Sequence, residues 1–448
     1  MPKKKTALTI EERLQQALVP AEEQPYEVPE NWVWVRLGEV CYASKEKSND
    51  FSNEIKYIGL EHLEKDKGIV GFSSADKVKS TKNAFQEGQI LYGRLRPYLN
   101  KHDIASFSGV CSTDILVFEA SVLVANVLVD KFFNLPFFIE YVVANSKGIN
   151  LPRVSEKTIL NTTFPLPPLS EQQRIVERIE ELFAKLDEAK ERLQEVADSF
   201  AVRKAAILHK AFTGELTKQW RRENGVSDES WEEKKLGEVG SWLGGGTPST
   251  SREEYWENGN ILWITSKDMK SAVIEDTLMK VNEVGVKNSS ANYIEKPALL
   301  VVMRSGILRR TFPVAMVKKP FTVNQDLKAI IPDKDDLEFL YWMLLSNEQH
   351  ILNTCMKNGT TVESINSNAL KDLTFKCPTL PEQHEIVRLI DDLLARERAA
   401  QQATEQALVS IDLMKKSILA RAFRGELGTN KASEASALEL LRQVLAEN

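Results

Sequence analysis

Two short basic turns carry the residue types that could contact a nucleic acid. The first turn, Gly93–Lys101, combines two arginines, a proline, a tyrosine, an asparagine and a lysine. The second turn, Arg304–Arg310, holds three arginines within seven residues. Arginine binds phosphates or the O6/N7 edge of guanine, and the asparagine amide suits adenine. Both turns therefore indicate contacts to a DNA backbone or to base edges.

The two turns stand at corresponding places of a repeated sequence plan. Alone, each turn is a weak signal, because a basic turn on a protein surface is usually only solvated. The loop Gly244–Ser249 precedes the second turn and offers backbone amides and hydroxyls that suit phosphates. The candidate DNA-contact residues are Arg94, Arg96, Tyr98, Asn100 and Lys101 in the first half of the chain, and Thr247, Ser249, Lys267, Arg304, Arg309 and Arg310 in the second half.

Motifs of common catalytic sites are absent from the sequence. There is no Gly-Lys dipeptide for a P-loop and no serine within Gly-x-Ser-x-Gly. The five histidines and four cysteines show no spacing typical of a metal site. Asn134–Phe137 is one residue away from the Asn-Pro-Pro-aromatic loop of amino-methyltransferases, but a helix start is the preferred interpretation because leucine replaces the first proline. We therefore expect a non-catalytic binding protein with no cofactor or metal of its own.

The charge balance argues against an indiscriminate polyanion binder. With 58 basic and 64 acidic residues, the net charge is −6 at pH 7. Charge clusters matter more, since phosphate neutralisation is local, and residues 304–319 contain five basic side chains and no acidic one. No apolar run approaches the roughly 20 residues that span a bilayer, and no apolar stretch follows Met1–Lys5. We therefore expect a cytoplasmic protein without a secretory signal or membrane contact.

A stretch that occurs twice along the chain must position these turns. Gly148–Leu216 aligns with Gly359–Leu427 without a gap, at a constant offset of 211 residues. Both copies contain a Pro-Leu stretch followed by Glu-Gln, and both end on Ala-Phe-x-Gly-Glu-Leu. A repeat of this length indicates one structural unit that is used twice.

Apolar residues recur in alternating steps of four and three in each copy, which is the period of a coiled-coil seam. Each copy predicts a helix of about 44 residues, or on the order of 65 Å. Ser170 would cap the first helix, and Gly214 and Gly425 would end the two helices. In an alternative interpretation, the two helices are core elements of two separate domains and do not form a coiled coil. The predicted seam residues are Ile175, Ile179, Leu182, Leu186, Leu193, Val196 and Phe200 in the first copy, and Ile386, Ile390, Leu393, Ile411, Met414 and Ile418 in the second.

The connectivity favours an antiparallel helix pair with one globule at each end. Only a short linker separates the first helix from the second globule, so that globule should lie near the end of the first helix. The second helix starts from this globule and must therefore run in the opposite direction. The predicted fold class is α+β, with two mixed α/β globules joined by two long antiparallel coiled-coil helices in pseudo-twofold symmetry. Short helices are expected at Ile10–Leu18 and Ala437–Leu445. The predicted segments are an N-terminal arm (residues 1–30), globule 1 (31–166), helical spacer 1 (167–229), globule 2 (230–377), and helical spacer 2 with the C-terminal tail (378–448).

The two globules repeat each other more loosely than the helices do. The offset between corresponding residues changes from 199 to 212 along the globules, because their loops differ in length. A shared skeleton with divergent loops suggests two heads that read different things. Corresponding residues are Trp32 and Trp231, Arg94 and Arg304, and Asp114 and Asp326.

From Trp32 to Leu427 the chain resembles the specificity subunits of type I restriction-modification systems. The resemblance implies two target-recognition domains, each of which reads one half of a split double-stranded DNA sequence. It also implies that the helix pair sets the unspecified spacer and docks two methyltransferase subunits. The motifs that carry the resemblance are Leu37–Val40, Tyr57–Leu63, Leu95–Lys101 with Cys111–Asp114, Gly244–Ser249 with Trp263–Ser266, and the repeated helix.

The same resemblance implies that partner subunits supply the chemistry. The methyltransferase subunits would hold S-adenosylmethionine and methylate adenine, and restriction subunits would use ATP and Mg. The N-terminal arm departs from the plainest members of the family, and the motifs do not fix which bases are read. Two other functions stay open, namely a self-contained DNA methyltransferase or nuclease and a protein-binding coiled-coil adaptor.

Overall fold

The structure, a computed structural model, describes residues 9–49, 51–77, 80–357 and 362–447. Two features of the sequence analysis lie outside these residues. They are Met1–Lys5, at the start of the N-terminal arm, and Gly359, the first residue of the second repeat copy. Across the described residues, no helix is both long and apolar enough to cross a bilayer.

The chain folds into two compact units, and each long helix contributes to both. Unit 1 comprises residues 1–194 and 406–448, and unit 2 comprises residues 195–405. The predicted segments instead treated each long helix as a part of its own. The helices of the described chain are α1 (Ile10–Ala17), α2 (Asn126–Phe132), α3 (Pro136–Ala144), α4 (Glu156–Leu160), α5 (Leu169–Phe212), α6 (Lys218–Glu223), α7 (Glu283–Lys287), α8 (Leu337–Ser346), α9 (Glu348–Cys355), α10 (Ser367–Lys371), α11 (Leu380–Ala422) and α12 (Ala437–Glu447).

Unit 1 contains an antiparallel sheet, a mixed sheet and two strand pairs. Its strands are β1 (Val33–Arg36), β2 (Cys41–Ala43), β3 (Lys47–Ser48), β4 (Lys56–Ile58), β5 (Leu63–Glu64), β6 (Gly68–Ile69), β7 (Ser73–Ser74), β8 (Lys82–Phe85), β9 (Ile90–Gly93), β10 (His102–Ile104), β11 (Gly109–Cys111), β12 (Ile115–Ala120) and β13 (Thr163–Leu166). The antiparallel sheet has the order β10-β9-β12-β2, and the mixed sheet has the order β3-β8-β11-β4-β7. The pairs are β1-β13 and β5-β6, and β11 runs parallel to β4.

Unit 2 repeats the central part of this plan. Its strands are β14 (Glu232–Lys235), β15 (Gly240–Gly244), β16 (Ile261–Ile264), β17 (Met279–Val281), β18 (Ala298–Val302), β19 (Val314–Val317), β20 (Phe321–Val323), β21 (Leu327–Pro332) and β22 (Thr374–Cys377). The order β19-β18-β21-β15 matches β10-β9-β12-β2, and the pair β14-β22 matches β1-β13. The parallel pair β16-β20 likewise matches β4-β11. The described residues are therefore of mixed α+β structure, with one strand topology present twice.

The core of each unit takes in the end of one long helix. In unit 1, Phe423 follows α11 and packs against Phe132 of α2 and Phe164 of β13. In unit 2, Phe212 ends α5 and lies 5.5 Å from the ring of Phe339 in α8. Burial of a large side chain is worth about 1.5–3 kcal/mol, so these contacts fix each helix end to its unit.

The two long helices run antiparallel within each unit. In unit 1, Lys190 Nζ lies 3.0 Å from Asp412 Oδ1, and the Asp187 carboxylate pairs with the ammonium group of Lys415. In unit 2, an ion pair of 2.8 Å joins α5 to α11. In the two pairs of unit 1, the later residue on α5 faces the earlier residue on α11, as an antiparallel pair requires. The predicted antiparallel direction is therefore confirmed.

The predicted seam is buried most deeply near the helix starts. Ile175 is 1% exposed, and Ile386 is fully buried. Val196 and Met414 are 41% and 50% exposed, so the prediction that they belong to a buried seam is wrong. Ala197 and Lys415 are half-buried at these places instead, so the local spacing between seam residues is four then three, where the predicted repeat had three then four. The other predicted seam residues are buried or half-buried: Ile179, Leu182, Leu186, Leu193, Phe200, Ile390, Leu393, Ile411 and Ile418.

The ends of the long helices confirm one prediction and correct another. Gly214 and Gly425 have φ angles of 80° and 73° and end the helices in the left-handed conformation, as expected. Ser170 does not cap α5, because that helix already begins at Leu169. The Pro168 carbonyl instead accepts hydrogen bonds from the two backbone N–H groups that follow Ser170, at 2.9 and 3.1 Å.

A buried glutamate near the start of α5 anchors that helix in unit 1. Glu171 is fully buried and accepts hydrogen bonds from Trp32 Nε1 at 2.7 Å and Asn430 Nδ2 at 2.8 Å. The Thr429 hydroxyl donates to the other carboxylate oxygen at 3.0 Å. The donors come from the segment after α11 and from the residue before β1, so the carboxylate joins three parts of unit 1.

The repeat places a second buried glutamate near the start of α11 in unit 2. Glu382 is fully buried and accepts from the Thr217 hydroxyl and from the Arg221 guanidinium, both at 2.6 Å. Arg221 also donates to the Gly214 carbonyl at 2.8 Å. In both units, the segment that follows one long helix therefore binds the first turn of the other.

The N-terminal arm and the C-terminal tail pack against each other in unit 1. The Arg13 guanidinium donates to the Leu445 carbonyl at 2.7 Å, while Leu14 and Leu441 are buried in the core of the unit. Helices α1 and α12 lie within one or two residues of the predicted bounds, so both predicted helices are confirmed.

Candidate nucleic-acid interface

The first basic turn follows β9 in unit 1 and is held by backbone hydrogen bonds on two sides. The Arg94 N–H donates to the Asp114 carbonyl at 2.9 Å, and the Arg94 carbonyl accepts from the Val154 N–H at 3.0 Å. The Arg96 N–H donates to the Pro152 carbonyl at 2.7 Å. Because these contacts use backbone atoms, they do not depend on the Arg94 and Arg96 side chains.

The turn presents Arg96 and Tyr98 to solvent through an unusual backbone. Arg96 and Asn100 have φ angles of 54° and 43° and flank the short 3₁₀ helix Pro97–Leu99. A left-handed conformation at a residue other than glycine costs about 1–2 kcal/mol, so the surrounding contacts must hold it. Tyr98 is 50% exposed, and Arg96 is exposed as well.

Asn100 lies inside the unit, which contradicts its prediction as a DNA-contact residue. It is 8% exposed, and its amide nitrogen donates to the Phe133 carbonyl at 3.0 Å and lies 3.2 Å from His102 Nε2. These contacts tie the end of the turn to β10 and to the residue that follows α2. Lys101 is half-buried, and its ammonium group donates to the Leu60 carbonyl at 3.0 Å.

A carboxylate and two arginines set the charge beside the first turn. Arg153 binds Asp114 through two hydrogen bonds, of 2.9 and 3.1 Å. The hydrogen bonds from Arg153 hold the pKa of Asp114 below its usual value, and the charges of Arg153 and Arg94 act in the same direction. Arg94 Nε is buried and has no hydrogen-bond partner among the described residues. The two arginines together outweigh the one carboxylate, so this place favours an anion.

The second basic turn follows β18 in unit 2 and has a similar backbone clamp. The N–H groups of Met303 and Arg304 donate to the Asp326 carbonyl, at 2.8 and 3.3 Å. The Met303 carbonyl accepts from the Ile365 N–H at 2.8 Å, and the Ser305 N–H donates to the Glu363 carbonyl at 3.0 Å. In each unit the turn is therefore held between the central sheet and the segment before the last helix of the globule.

The side chains of the second turn are more exposed than those of the first. Arg304 and Arg310 are exposed, and the Arg309 side chain is 70% exposed although it forms an ion pair with Glu363. The hydrogen bond from Arg309 holds the pKa of Glu363 below its usual value. Three guanidinium groups on one turn, with one carboxylate beside them, can bind phosphates or guanine edges.

Three loops of unit 2 meet around the segment Asn324–Asp326. The Thr247 hydroxyl donates to Gln325 Oε1 at 2.8 Å, which brings the glycine-rich loop to this segment. The Asn324 N–H donates to the carbonyl of Ile264 at 3.0 Å, and the turn with Lys267 follows that residue directly. The predicted residues Thr247, Lys267 and Arg304 therefore border one segment of the backbone.

The glycine-rich loop needs glycine because two backbones approach closely. A Cβ atom on Gly245 would lie 1.8 Å from the Val323 carbonyl oxygen, well inside van der Waals contact. This approach lets the loop reach the segment after β20. Thr247 and Ser249 are exposed on the loop, and the Ser249 hydroxyl lies 2.8 Å from that of Ser251.

Three further residues belong to these surfaces and were missed by the sequence analysis. Gln325 is exposed at the centre of the unit 2 surface, and Thr113 is exposed at the corresponding place of unit 1. Arg153 was missed because it lies far from the first turn in the sequence. Gln325 and Thr113 directly precede Asp326 and Asp114. The offset of 212 residues between these two aspartates could therefore have indicated both residues.

Each surface therefore combines exposed guanidinium groups with hydroxyl or amide groups on a rigid backbone. That combination is suited to contacts with phosphates and base edges. No cluster of His, Cys, Asp and Glu that could hold a metal ion occurs in the part of the chain that the structure describes.

The two surfaces lie on two copies of one framework, as in a protein with paired domains of related function, and the comparisons with known proteins agree. Residues 29–198 and 228–408 each match the family described as "Type I restriction modification DNA specificity domain". These matches cover more than half of the chain, so the protein belongs to the family of type I restriction-modification specificity subunits. The family resemblance drawn from the sequence is confirmed, and it places the chain among the non-catalytic subunits of these systems.

Two relatives from Escherichia coli show the extent of the likeness. The specificity subunit of the type I restriction enzyme EcoR124I/EcoR124II is 40% identical over 159 residues, which cover 35% of this chain and 39% of that protein. The EcoBI specificity subunit is 26% identical over 342 residues, which cover 70% of each chain. The match to the first relative thus spans about two fifths of its length, while the match to the second is more extended.

Solved structures support the same fold. The HsdS subunit from Thermoanaerobacter tengcongensis has a TM-score of 0.66 and 21% identity, and the match covers 90% of this chain and 99% of that one. A chain from a type I R-M system complex has a TM-score of 0.68 and also 21% identity, with 90% and 100% coverage. The predicted α+β fold class is confirmed by these matches.

Proposed function

We propose that the protein reads a bipartite double-stranded DNA sequence, with one half recognised by each unit. The observation that carries this proposal is the shared backbone clamp of the two basic turns. The Asp114 and Asp326 carbonyls hold corresponding turns, while the side chains on those turns differ. Two units that recognise different DNA sequences need the same backbone framework but different contact side chains.

The contacts fall into two kinds by their chemistry. Exposed arginines bind phosphates and fix the register on the duplex, and they also bind guanine edges. Gln325 has an amide that can pair with adenine in the major groove, but Asn100 is buried and unsuited to this role. The proposed DNA-contact residues are Arg94, Arg96, Tyr98, Lys101, Thr113, Arg153, Thr247, Ser249, Lys267, Arg304, Arg309, Arg310 and Gln325.

The long helices serve as the spacer and the scaffold in this proposal. Because α5 and α11 each contribute residues to both units, their length sets the separation of the half-sites. Two methyltransferase subunits would dock on this scaffold and bring S-adenosylmethionine, and restriction subunits would bring ATP and Mg. The complex would then act in the cytoplasm, where it meets DNA.

The proposal is tested by mapping methylated adenines in cells with and without this protein. We expect a split motif of methylated adenine that disappears when the protein is removed and returns when it is restored. An identical methylation pattern in both strains would contradict DNA reading within such a complex. The isolated chain, assayed with S-adenosylmethionine and duplex DNA, should transfer no methyl group, and transfer by the pure chain would favour a self-contained methyltransferase.

A further inference from the structure

The end of the first basic turn is held by a buried polar network in unit 1. Asn100 Nδ2 donates to the Phe133 carbonyl at 3.0 Å and lies 3.2 Å from His102 Nε2. On the other side of the ring, His102 Nδ1 lies 2.7 Å from Asp130 Oδ1. Asn100, His102 and Asp130 are all buried. A buried and hydrogen-bonded network of this kind holds its members in one arrangement.

The chemistry of these side chains sets the direction of each hydrogen bond. An ionised carboxylate can only accept, so His102 Nδ1 carries the hydrogen and donates to Asp130. Nε2 of the neutral ring is then an acceptor, and the Asn100 amide nitrogen donates to it. The Asn100 amide oxygen has no partner among the described residues, so the nitrogen makes the connection. Asp130 thus acts on the turn through His102 and Asn100.

The same asparagine sets the backbone at the end of the turn. Asn100 has a φ angle of 43°, and its backbone N–H donates to the Pro97 carbonyl at 3.0 Å. Asparagine adopts this left-handed conformation more readily than most residues. The segment between these two residues carries the half-exposed Tyr98, and the exposed Arg96 directly precedes it. The position of the Asn100 side chain therefore affects how Tyr98 and Arg96 are presented.

The strand order identifies the corresponding place in unit 2. The first turn joins β9 to β10, and the second turn joins β18 to β19 at the matching place of the other sheet. Asn100 stands two residues before β10, and Phe312 stands two residues before β19. A pair of helices follows the same strand in each sheet, namely α2 and α3 after β12, and α8 and α9 after β21. Phe312 therefore corresponds to Asn100, and the junction of α8 and α9 corresponds to that of α2 and α3.

In unit 2 a carboxylate at the helix junction makes the connection. The Phe312 N–H donates to Glu348 Oε1 at 2.8 Å, and the Thr311 hydroxyl donates to the same oxygen. Glu348 is the half-buried first residue of α9, and Phe312 is fully buried. The residue at the place of Asn100 therefore again binds the helix junction, but it does so through its backbone.

An asparagine at each helix junction supports this comparison. Asn134 lies between α2 and α3, and Asn347 lies between α8 and α9. Each amide nitrogen donates to the carbonyl of the residue four positions earlier, at 3.2 Å in unit 1 and 2.9 Å in unit 2. The units differ in the group that the turn binds, which is a backbone carbonyl in unit 1 and a carboxylate in unit 2.

We propose that these contacts between each turn and its helix junction, here named the junction contacts, position the DNA-contact side chains of the turn. The positioning residues are Asn100, His102 and Asp130 in unit 1, and Glu348 in unit 2. They act through the turn, since the three residues of unit 1 are buried and the Glu348 carboxylate is bound by donors of the turn. Each junction contact sets the half-site preference of its own unit. This inference deepens the proposed DNA recognition and rests on it.

Hydrogen exchange of the full-length chain, without DNA, tests the junction contact of unit 1. Asn100→Gly removes the side chain but keeps a residue that readily adopts a left-handed φ angle. Asn100→Asp keeps the shape of the side chain but removes both N–H donors. We expect the backbone amides of residues 94–101 to exchange about threefold to tenfold faster in both variants, because hydrogen bonding is lost. Residues 303–312 should exchange as in the wild type.

A control variant separates this effect from a general loss of stability in unit 1. Trp32→Phe removes one hydrogen bond from the buried Glu171 of α5 and should leave the exchange of residues 94–101 unchanged. Mass spectrometry of peptides from the exchanged protein measures both segments. Equal acceleration in Trp32→Phe and in the Asn100 variants would overturn the positioning role, and so would unchanged exchange in the Asn100 variants.

Unit 2 offers a matched pair of variants at one position. Glu348→Ala removes the acceptor and should accelerate the exchange of residues 303–312 by about threefold to tenfold, with residues 94–101 unchanged. Glu348→Gln keeps a side-chain oxygen that accepts hydrogen bonds and should exchange like the wild type. Equal acceleration in both variants would overturn the contact assigned to Glu348.

The same variants in the assembled complex test DNA recognition. Titrations use the target duplex and duplexes with one altered base pair in either half-site. We expect Asn100→Gly to lower the preference for the target about threefold to tenfold at one half-site, and Glu348→Ala at the other. Trp32→Phe and Glu348→Gln should retain both preferences.

The outcomes distinguish this inference from the proposed function. Unchanged preferences in Asn100→Gly and Glu348→Ala, or a loss at both half-sites in one variant, would overturn the positioning role. A wild-type complex that prefers no duplex would contradict the proposed DNA recognition itself. The exchange experiment contains no DNA, so its result does not depend on that outcome.

Discussion

The two units hold their basic turns in the same way and equip them with different chemistry. In unit 1 the aspartate that supplies the clamping carbonyl, Asp114, is bound by Arg153 through two hydrogen bonds. In unit 2 the corresponding Asp326 lies 3.3 Å from the Asn324 amide, and the ion pair moves to Arg309 and Glu363. The difference teaches that the backbone framework and the proposed DNA-contact side chains can vary separately.

The buried glutamates near the starts of the two long helices also occupy corresponding positions but have different hydrogen-bond partners. Glu171 of unit 1 is satisfied by neutral donors, including Trp32, whereas Glu382 of unit 2 is paired with the charged Arg221. The indole N–H of Trp231, which corresponds to that of Trp32, has no hydrogen-bond partner among the described residues. Unit 2 has thus replaced a neutral donor by a buried ion pair.

The largest expected effect comes from removing the ion pair that distinguishes the two buried glutamates, Glu171 and Glu382. Arg221→Ala leaves the fully buried Glu382 without its cation and should lower the free energy of unfolding by about 3–5 kcal/mol. Trp32→Phe removes one neutral donor from Glu171 and should cost about 1–3 kcal/mol. Urea unfolding followed by circular dichroism measures both values. Equal losses in the two variants would show that the charge of Arg221 contributes nothing.

A second prediction compares the two turns in DNA binding. Arg94→Ala or Arg304→Ala should weaken binding of the assembled complex to its target duplex by about 1–3 kcal/mol if the side chain contacts a base. Arg222→Ala, an exposed arginine on α6 away from both turns, is the matched control and should have no such effect. Equilibrium titration of labelled duplex gives the affinities. An unchanged affinity for either turn variant would remove that arginine from the interface.

A smaller effect concerns Arg309 of unit 2, which forms an ion pair with Glu363. Glu363→Gln releases Arg309, whose side chain is largely exposed, for a phosphate contact. The slope of log K against log salt should then become steeper by up to about one, since one more counterion is displaced. The same titration at several salt concentrations measures the slope. A slope equal to that of the wild type would mean that Arg309 does not reach the DNA backbone.

The smallest effect is a pH dependence in unit 1. The pKa of Asp114 is lowered in the folded state, so its pairing with Arg153 stabilises the fold above the usual carboxyl pKa and is lost as the pH falls through the lowered value. Arg153→Ala should return the pKa of Asp114 toward its usual value, which NMR titration of the carboxyl signal detects. No change in the titration midpoint would show that another group holds the pKa of Asp114 down.

The sequence predicted the long helices and the two-part plan because those features are periodic and repeated. The 211-residue offset and the heptad pattern located α5 and α11 to within a few residues. The two glycines that end the helices followed from the need for a left-handed residue. The turns were located by their arginines, whose charge is visible in the sequence.

The remaining features depend on tertiary contacts that no local pattern reveals. The sequence suggests that Asn100 could pair with adenine, but in the fold its side chain points inward and binds the carbonyl of Phe133. Arg153 reaches Asp114 from a distant part of the chain. Val196 and Met414 fit the predicted order of steps, which the helices do not follow at these places. Burial and long-range pairing decide such cases, and both arise only in the folded chain.

The central claim is that two units read separate half-sites at a separation that the long helices set. Its most direct test removes one heptad from each helix, residues 188–194 from α5 and the facing residues 408–414 from α11, and then maps the methylated motif in cells. Each helix becomes about 10 Å shorter, which corresponds to roughly three base pairs. We predict a changed spacer with both half-site sequences unchanged, and altered half-sites or an unchanged spacer would contradict the account.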